Sequence, residues 1–210
     1  MTDREAPEAM SAQPAEEKSS TTSREWAIGK GLAGAGVLGL VSAFGDWLWA
    51  NYLQDGDPVA GVLHGILVFV ILAGVLAMSA PPGERRRAFK VLMLGLPVAG
   101  GLIAAVFYPI AYLMGYLGAL LVTWALMWLV TSWLNDRSRA QREPFGLTAG
   151  RAALAAVFSG LAFWAISGVW TSPPPEGGPN YLWHFAAWSF AYLPGFLALL
   201  TARPSRESQA

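Results

Sequence analysis

The chain has 210 residues, of which 54% are apolar and 13% charged, against about 25% charged in a typical globular domain. Its 14 Lys and Arg balance 14 Asp and Glu, and it has no cysteine. That excludes disulfides, thiolate metal sites, Cys-ligated iron–sulfur centres and cysteine nucleophiles, and the absence of a basic patch excludes nucleic acid as a partner.

The composition is that of an all-α, polytopic membrane protein in contact with the lipid bilayer. Residues 1–24, rich in Glu, Ser, Thr, Pro and Ala, lack the apolar area that would offset their ordering entropy and are expected to form a disordered cytoplasmic tail. The apolar character begins at Trp26. A hydrocarbon core about 30 Å thick takes roughly 20 residues of helix, and the first two segments, about 26–52 and 58–80, each supply that length. The uncharged run from Val91 to Leu134 would span about 66 Å as one helix, roughly twice the core. It must double back. The expected turn is FYPIAYLMG at Pro109, where proline removes a backbone donor, giving helices at about 91–108 and 112–134. The last two helices are expected at 151–170 and 181–201, separated by the Pro- and Gly-rich TSPPPEGGPN. Pro97 and Pro194 fall inside apolar segments, where a bilayer-embedded helix kinks rather than ends.

Six transmembrane helices with short loops result, forming a domain over 25–202 with a short cytoplasmic tail at 203–210. Charge placement agrees with the count. With six spans, all 14 Lys and Arg fall on one side, while Asp55, Asp57 and Glu176 fall on the other. The positive-inside rule then puts both termini in the cytoplasm, in a multi-pass protein of the cell inner membrane. Trp26 and Trp133 at one end, and Trp47, Trp49, Trp170 and Trp183 at the other, form interfacial belts. Trp124, Trp128, Trp164 and Trp188 lie deeper, where they pack helices or line a pocket.

Small residues recur at four-residue spacing as Gly31, Ala35, Gly39 and Ala43, and as Gly61 and Gly65. Such stripes allow close backbone approach. Their first use is packing within the chain; a membrane-protein partner or a second copy is the alternative. The echo between AYLMGYL at 111–117 and AYLPGFL at 191–197 falls at non-corresponding places in the two halves and does not indicate a repeat.

Three ionisable residues lie within the spans at one depth near the external face: Asp46, His64 and His184. A carboxylate facing lipid costs several kcal/mol by insertion scales, so Asp46 is expected to face the bundle or a wet cavity. The two histidines are its nearest basic candidates. Ser42, Asn51, Tyr108, Tyr112 and Trp188 are candidate lining groups around them, with Ser189 and Tyr192 farther into the sixth helix. An Asp–His pair could relay protons or hold helices together by hydrogen bonding. His64, His184 and Asp46 could ligate a transition metal, and the two histidines could ligate haem b. HExxH and HxxxH patterns, P-loop, dinucleotide fingerprint and GxSxG elbow are all absent, and no catalytic set is legible. The preferred expectation is binding or transport of a small or hydrophobic solute near the external face. The alternatives are a haem- or metal-dependent redox protein and a non-catalytic assembly or accessory subunit.

Overall fold

The computed structural model describes residues 13–52, 58–140, 142–167 and 180–201, with side chains omitted at 13–24 and 49–50. Among these residues there are five helices and no strand: α1 (Gln13–Tyr52), α2 (Pro58–Ser79), α3 (Arg85–Ser138), α4 (Phe145–Ser167) and α5 (Tyr181–Leu200). Each contains a stretch long and apolar enough to cross a membrane. The protein is all-α and multi-pass, and helices suit lipid because they satisfy their own backbone hydrogen bonds.

Local chemistry explains where the helices begin. Pro58 opens α2, in the first turn, where its missing N–H has no helical partner to lose. Asn180 caps α5 by accepting from the Trp183 N–H at 3.2 Å. α4 begins at Phe145, six residues before the expected start, because the Pro144 carbonyl already accepts from the N–H groups of Leu147 and Thr148. Its expected end, to 170, lies outside the described residues beyond Ser167, as do Asp55, Asp57, Glu176 and the 203–210 tail. α1 begins at Gln13, inside the segment expected to be disordered; Pro14 sits in its first turn, followed by the helix formers Ala15, Glu16, Glu17 and Lys18. Residues 1–12 of that segment are not described.

The turn expected at Pro109 is displaced. Backbone helicity runs through Pro97 and Pro109 and breaks at Gly115, with φ 75° and ψ 171°. Proline's fixed φ is helical, so it costs a hydrogen bond without forcing a reversal. The Gly115 conformation is one that residues with a Cβ rarely adopt, and it is the sole positive φ among the described residues. A straight α3 would be about 80 Å long. Instead its two arms lie side by side: Gly95 packs against the Leu134 side chain, Phe107 meets Tyr116 at 5.7 Å between ring centroids, and Arg87 donates to the Arg137 carbonyl at 3.1 Å. Nothing lies within 4 Å of where a Cβ on Gly115 would be, so substitution there meets backbone strain alone. Gly115→Ala is expected to cost about 1–3 kcal/mol, seen as a lower unfolding midpoint of the detergent-purified protein, whereas Pro109→Ala should be neutral or stabilising. A loss at Pro109 as large as that at Gly115 would move the reversal back to the proline.

The helices close a ring in the order α1, α2, first arm of α3, second arm of α3, α4, α5, with α5 returning to α1. The small-residue stripes are used inside this ring. Gly31 faces Phe196 and Leu197 of α5, Gly39 faces Ser189, Gly61 faces the Tyr108 ring, and Gly65 lies against Gly100 and Ala104. Leu38, Leu72, Leu92, Leu96, Trp128 and Phe196 fill the centre. Leu94, Val98, Leu102 and Leu113 point outward, an apolar exterior suited to acyl chains rather than water.

The ends of the ring differ chemically. Where α3 ends and α4 begins, Arg139 donates to the Leu199 carbonyl at the end of α5 (3.0 Å), Glu84 accepts from the Ala140 N–H (3.2 Å), and Asp136 accepts from the Glu143 N–H (2.9 Å). Arg151 grips both Glu143 oxygens at 2.7 and 2.5 Å. Charges expected only to orient the chain therefore also tie helix ends together, Arg139 by covering a carbonyl of the last turn.

Candidate functional site

At the opposite end, α1 and α5 run antiparallel and bring Asp46 beside two donors. His184 Nδ1 lies 2.8 Å from Asp46 Oδ2 and the Trp188 indole N–H donates to the same oxygen at 2.7 Å. His184 and Trp188 are four residues apart on α5, hence on one helical face. Among the described residues no donor engages Asp46 Oδ1. The side chains of Asp46 and His184 retain 31% and 37% exposure, so the pair is neither sealed in the core nor open to lipid along its whole length.

Trp188 is held in place by its neighbours. Its ring lies 4.6 Å from Phe163, 6.3 Å from Trp124 and 5.8 Å from Tyr192, centroid to centroid. This aromatic cluster spans the second arm of α3, α4 and α5, and orients the indole toward Asp46. Beneath it, Ser42 and the buried Tyr192 hydroxyl share a hydrogen bond of 2.9 Å. On the other side of Asp46, the His64 imidazole lies against Gly45, where any side chain would overlap the ring. Glycine at 45 is what allows α2 to bring His64 to the carboxylate level.

Asp46 and His64 share a cavity of about 300 Å³ inside the ring. Along α2 it runs from Gly61 to Phe69, roughly 12 Å of helical rise. The first arm of α3 contributes Ile103, Ala104, Phe107 and Tyr108; the second contributes Tyr116, Leu120, Thr123, Trp124 and Met127; α5 adds Trp188 and Tyr192. Thr123 spends its hydroxyl on the Ala119 carbonyl at 2.7 Å, which leaves its methyl as the apolar part. The cavity is thus an apolar, largely aromatic chamber with a carboxylate and an imidazole in its wall.

The expected site residues divide accordingly. Asp46, His64, Tyr108 and Trp188 line the cavity. His184 does not line it and braces Asp46 from α5. Ser42 sits at the base, bonded to Tyr192. Asn51 is at the rim, donating to the Trp47 carbonyl at 2.7 Å and to the Tyr181 hydroxyl at 3.4 Å. Tyr112, on the reversal of α3, is 90% exposed and faces away, because the turn lies at Gly115 rather than Pro109. Tyr116, Trp124, Thr123 and Met127 were not expected at the site. Their approach depends on the rotation of the second α3 arm, although Trp124 carried a signal as a deep tryptophan.

The expected metal set does not assemble. Among the described residues no three His, Asp or Glu groups are gathered to hold an ion. His184 is engaged by Asp46 on α5, while His64 packs on Gly45 of α1. Among the described residues the geometry is a polar pair, Asp46 and His184, beside an apolar chamber.

The chain matches no protein-family model, no curated protein and no solved structure, so the functional reading rests on the site.

Proposed function

We propose that this protein is a solute-binding, carrier-type protein of the cell inner membrane that takes a small hydrophobic or amphipathic molecule from the external side. The observation that carries the reading is the chamber of about 300 Å³, apolar and aromatic except for Asp46 and His64. Small-molecule sites have this construction, with volumes of roughly 300–1,000 Å³ and a few placed polar groups in an apolar wall. An ionisable residue within a membrane span is expensive to place and marks a functional site by default.

The reading includes six crossings, one for each arm of α3, with both termini cytoplasmic. The reversal at Gly115 supports the count. The gathering of Arg87, Arg137, Arg139 and Arg151 at one end of the ring, away from Asp46, supports the orientation.

The absence of native cysteine makes the test direct. Thr123→Cys, in the cavity wall, and Leu102→Cys, on the outward face of α3, would each be challenged in right-side-out vesicles with a charged, membrane-impermeant thiosulfonate. The cavity cysteine should react from outside and the outward-facing one should not. Unreactive Thr123→Cys, or reaction from the cytoplasmic side alone, would overturn the external site.

A further inference from the structure

The chemistry of the cavity wall narrows the ligand class, given the solute-binding reading on which this step rests. We infer that the cavity takes a monovalent organic cation with an apolar body, its charged centre placed between Asp46 and the surrounding ring faces.

The first argument is charge. Asp46 is the one carboxylate in the wall, and the wall contains no Lys or Arg. Its two hydrogen-bond donors both converge on Oδ2, so Oδ1 retains its acceptor capacity. An anion would meet the side of this carboxylate that His184 and Trp188 leave uncovered, and like charges repel.

The second argument is the rings. Phe107, Tyr108, Tyr116, Trp124, Trp188 and Tyr192 all line the chamber. Aromatic faces attract cations, more strongly when the cation is desolvated. Quaternary ammonium groups, which cannot donate a classical hydrogen bond, are held in other proteins by such aromatic walls.

The third argument is size and ligand type. A bare metal ion needs several converging ligands, and among the described residues no three His, Asp or Glu side chains gather to supply them. The volume, many times that of a water, and the apolar wall suit a carbon-rich body. A neutral amphipath would fill the same space without using the carboxylate, which makes it the comparison for the test.

The experiment uses the full chain carrying Thr123→Cys in vesicles, with protection from thiosulfonate labelling as the readout. The probes are phenyltrimethylammonium and its neutral carbon isostere tert-butylbenzene, alike in shape and differing in charge. The cation is expected to protect at concentrations at least tenfold lower than the isostere. Adding Asp46→Asn should erase that preference and Asp46→Glu should largely restore it; a monodisperse gel-filtration profile identifies folded variants. Equal protection by the two probes, or a preference that survives Asp46→Asn, would overturn the cationic ligand while leaving the solute cavity standing. Rapid labelling with no protection by either probe would overturn the ligand class as well. A cavity cysteine that never labels from outside would remove the solute-binding reading and this inference with it.

Discussion

Gly195→Ala is expected to be the most destabilising single-methyl addition in the bundle, lowering stability by about 2–3 kcal/mol. Gly195 lies in α5 directly under the Trp128 indole, and a Cβ there would overlap three atoms of the ring. The ring has nowhere to go. It is 0% exposed, its N–H donates to the Ser159 hydroxyl at 2.9 Å, and it stacks on Trp124 and meets Phe196 edge-on. In an unconstrained helix the change would gain about 1 kcal/mol from propensity. Overpacking a close-packed interior costs about 1–3 kcal/mol or more, and moving the indole also breaks a buried hydrogen bond, leaving polar atoms unpaired at about 1–3 kcal/mol. The loss therefore outweighs the gain. Unfolding of the purified protein by heat or by denaturing detergent measures it, and Trp128→Phe in the Gly195→Ala background should recover part of the loss. An unfolding midpoint at or above that of the parent would show that the tryptophan and the glycine are not in contact.

The second large effect is expected at Asp46. Asp46→Ala removes the acceptor of both His184 Nδ1 and the Trp188 indole N–H. Orphaned buried donors cost about 1–3 kcal/mol each in soluble proteins, whereas interhelical hydrogen bonds in membranes average about 0.6 kcal/mol. Partial exposure of the pair lets water take over some of the bonding, so the combined loss is about 2 kcal/mol. Asp46→Asn keeps an acceptor oxygen and should lose about half as much. Because one oxygen serves both donors, Asp46→Ala and Trp188→Phe should be non-additive: the double variant loses less than the sum of the singles by about 0.5 kcal/mol or more. Strict additivity would mean that the indole does not bind the carboxylate.

The readable parts of the molecule were those that depend on runs and counts. The membrane character, the apolar segments and the need for Val91–Leu134 to double back follow from length against bilayer thickness. The level shared by Asp46 and His184 followed from their distances to helix ends, and the structure brings them together. The position of the reversal was harder. Pro109 carries the louder local signal, but a proline is compatible with helical φ, while Gly115 is the residue whose freedom the reversal uses. The cavity wall was hardest of all. In a span apolar on every side, composition does not tell the face toward the chamber from the face toward lipid, so Trp124 and Met127 on one side and Leu121 and Leu129 on the other look alike in the chain. Rotation is set by partners such as Gly195 under Trp128, and these pairings are long-range. The bond of Arg139 was hidden for the same reason, since only the closed ring brings Leu199 near it, while that of Arg151 to Glu143, eight residues away, depends on the turn into α4.

The reversal at Gly115 also bears on how the chain is made. A helical hairpin whose turn carries no Asp, Glu, Lys or Arg presents the insertion machinery with no charged group to carry across the bilayer, each of which would cost about 2.5–3.5 kcal/mol at the membrane centre. In the proposed orientation the two arms of α3 enter as one pre-paired unit, with Arg85, Arg86 and Arg87 at one end and Arg137 and Arg139 at the other on the side of synthesis. A charge placed at Gly118 would act on that event, before the cavity has formed, and would be read as loss of inserted protein rather than as loss of binding.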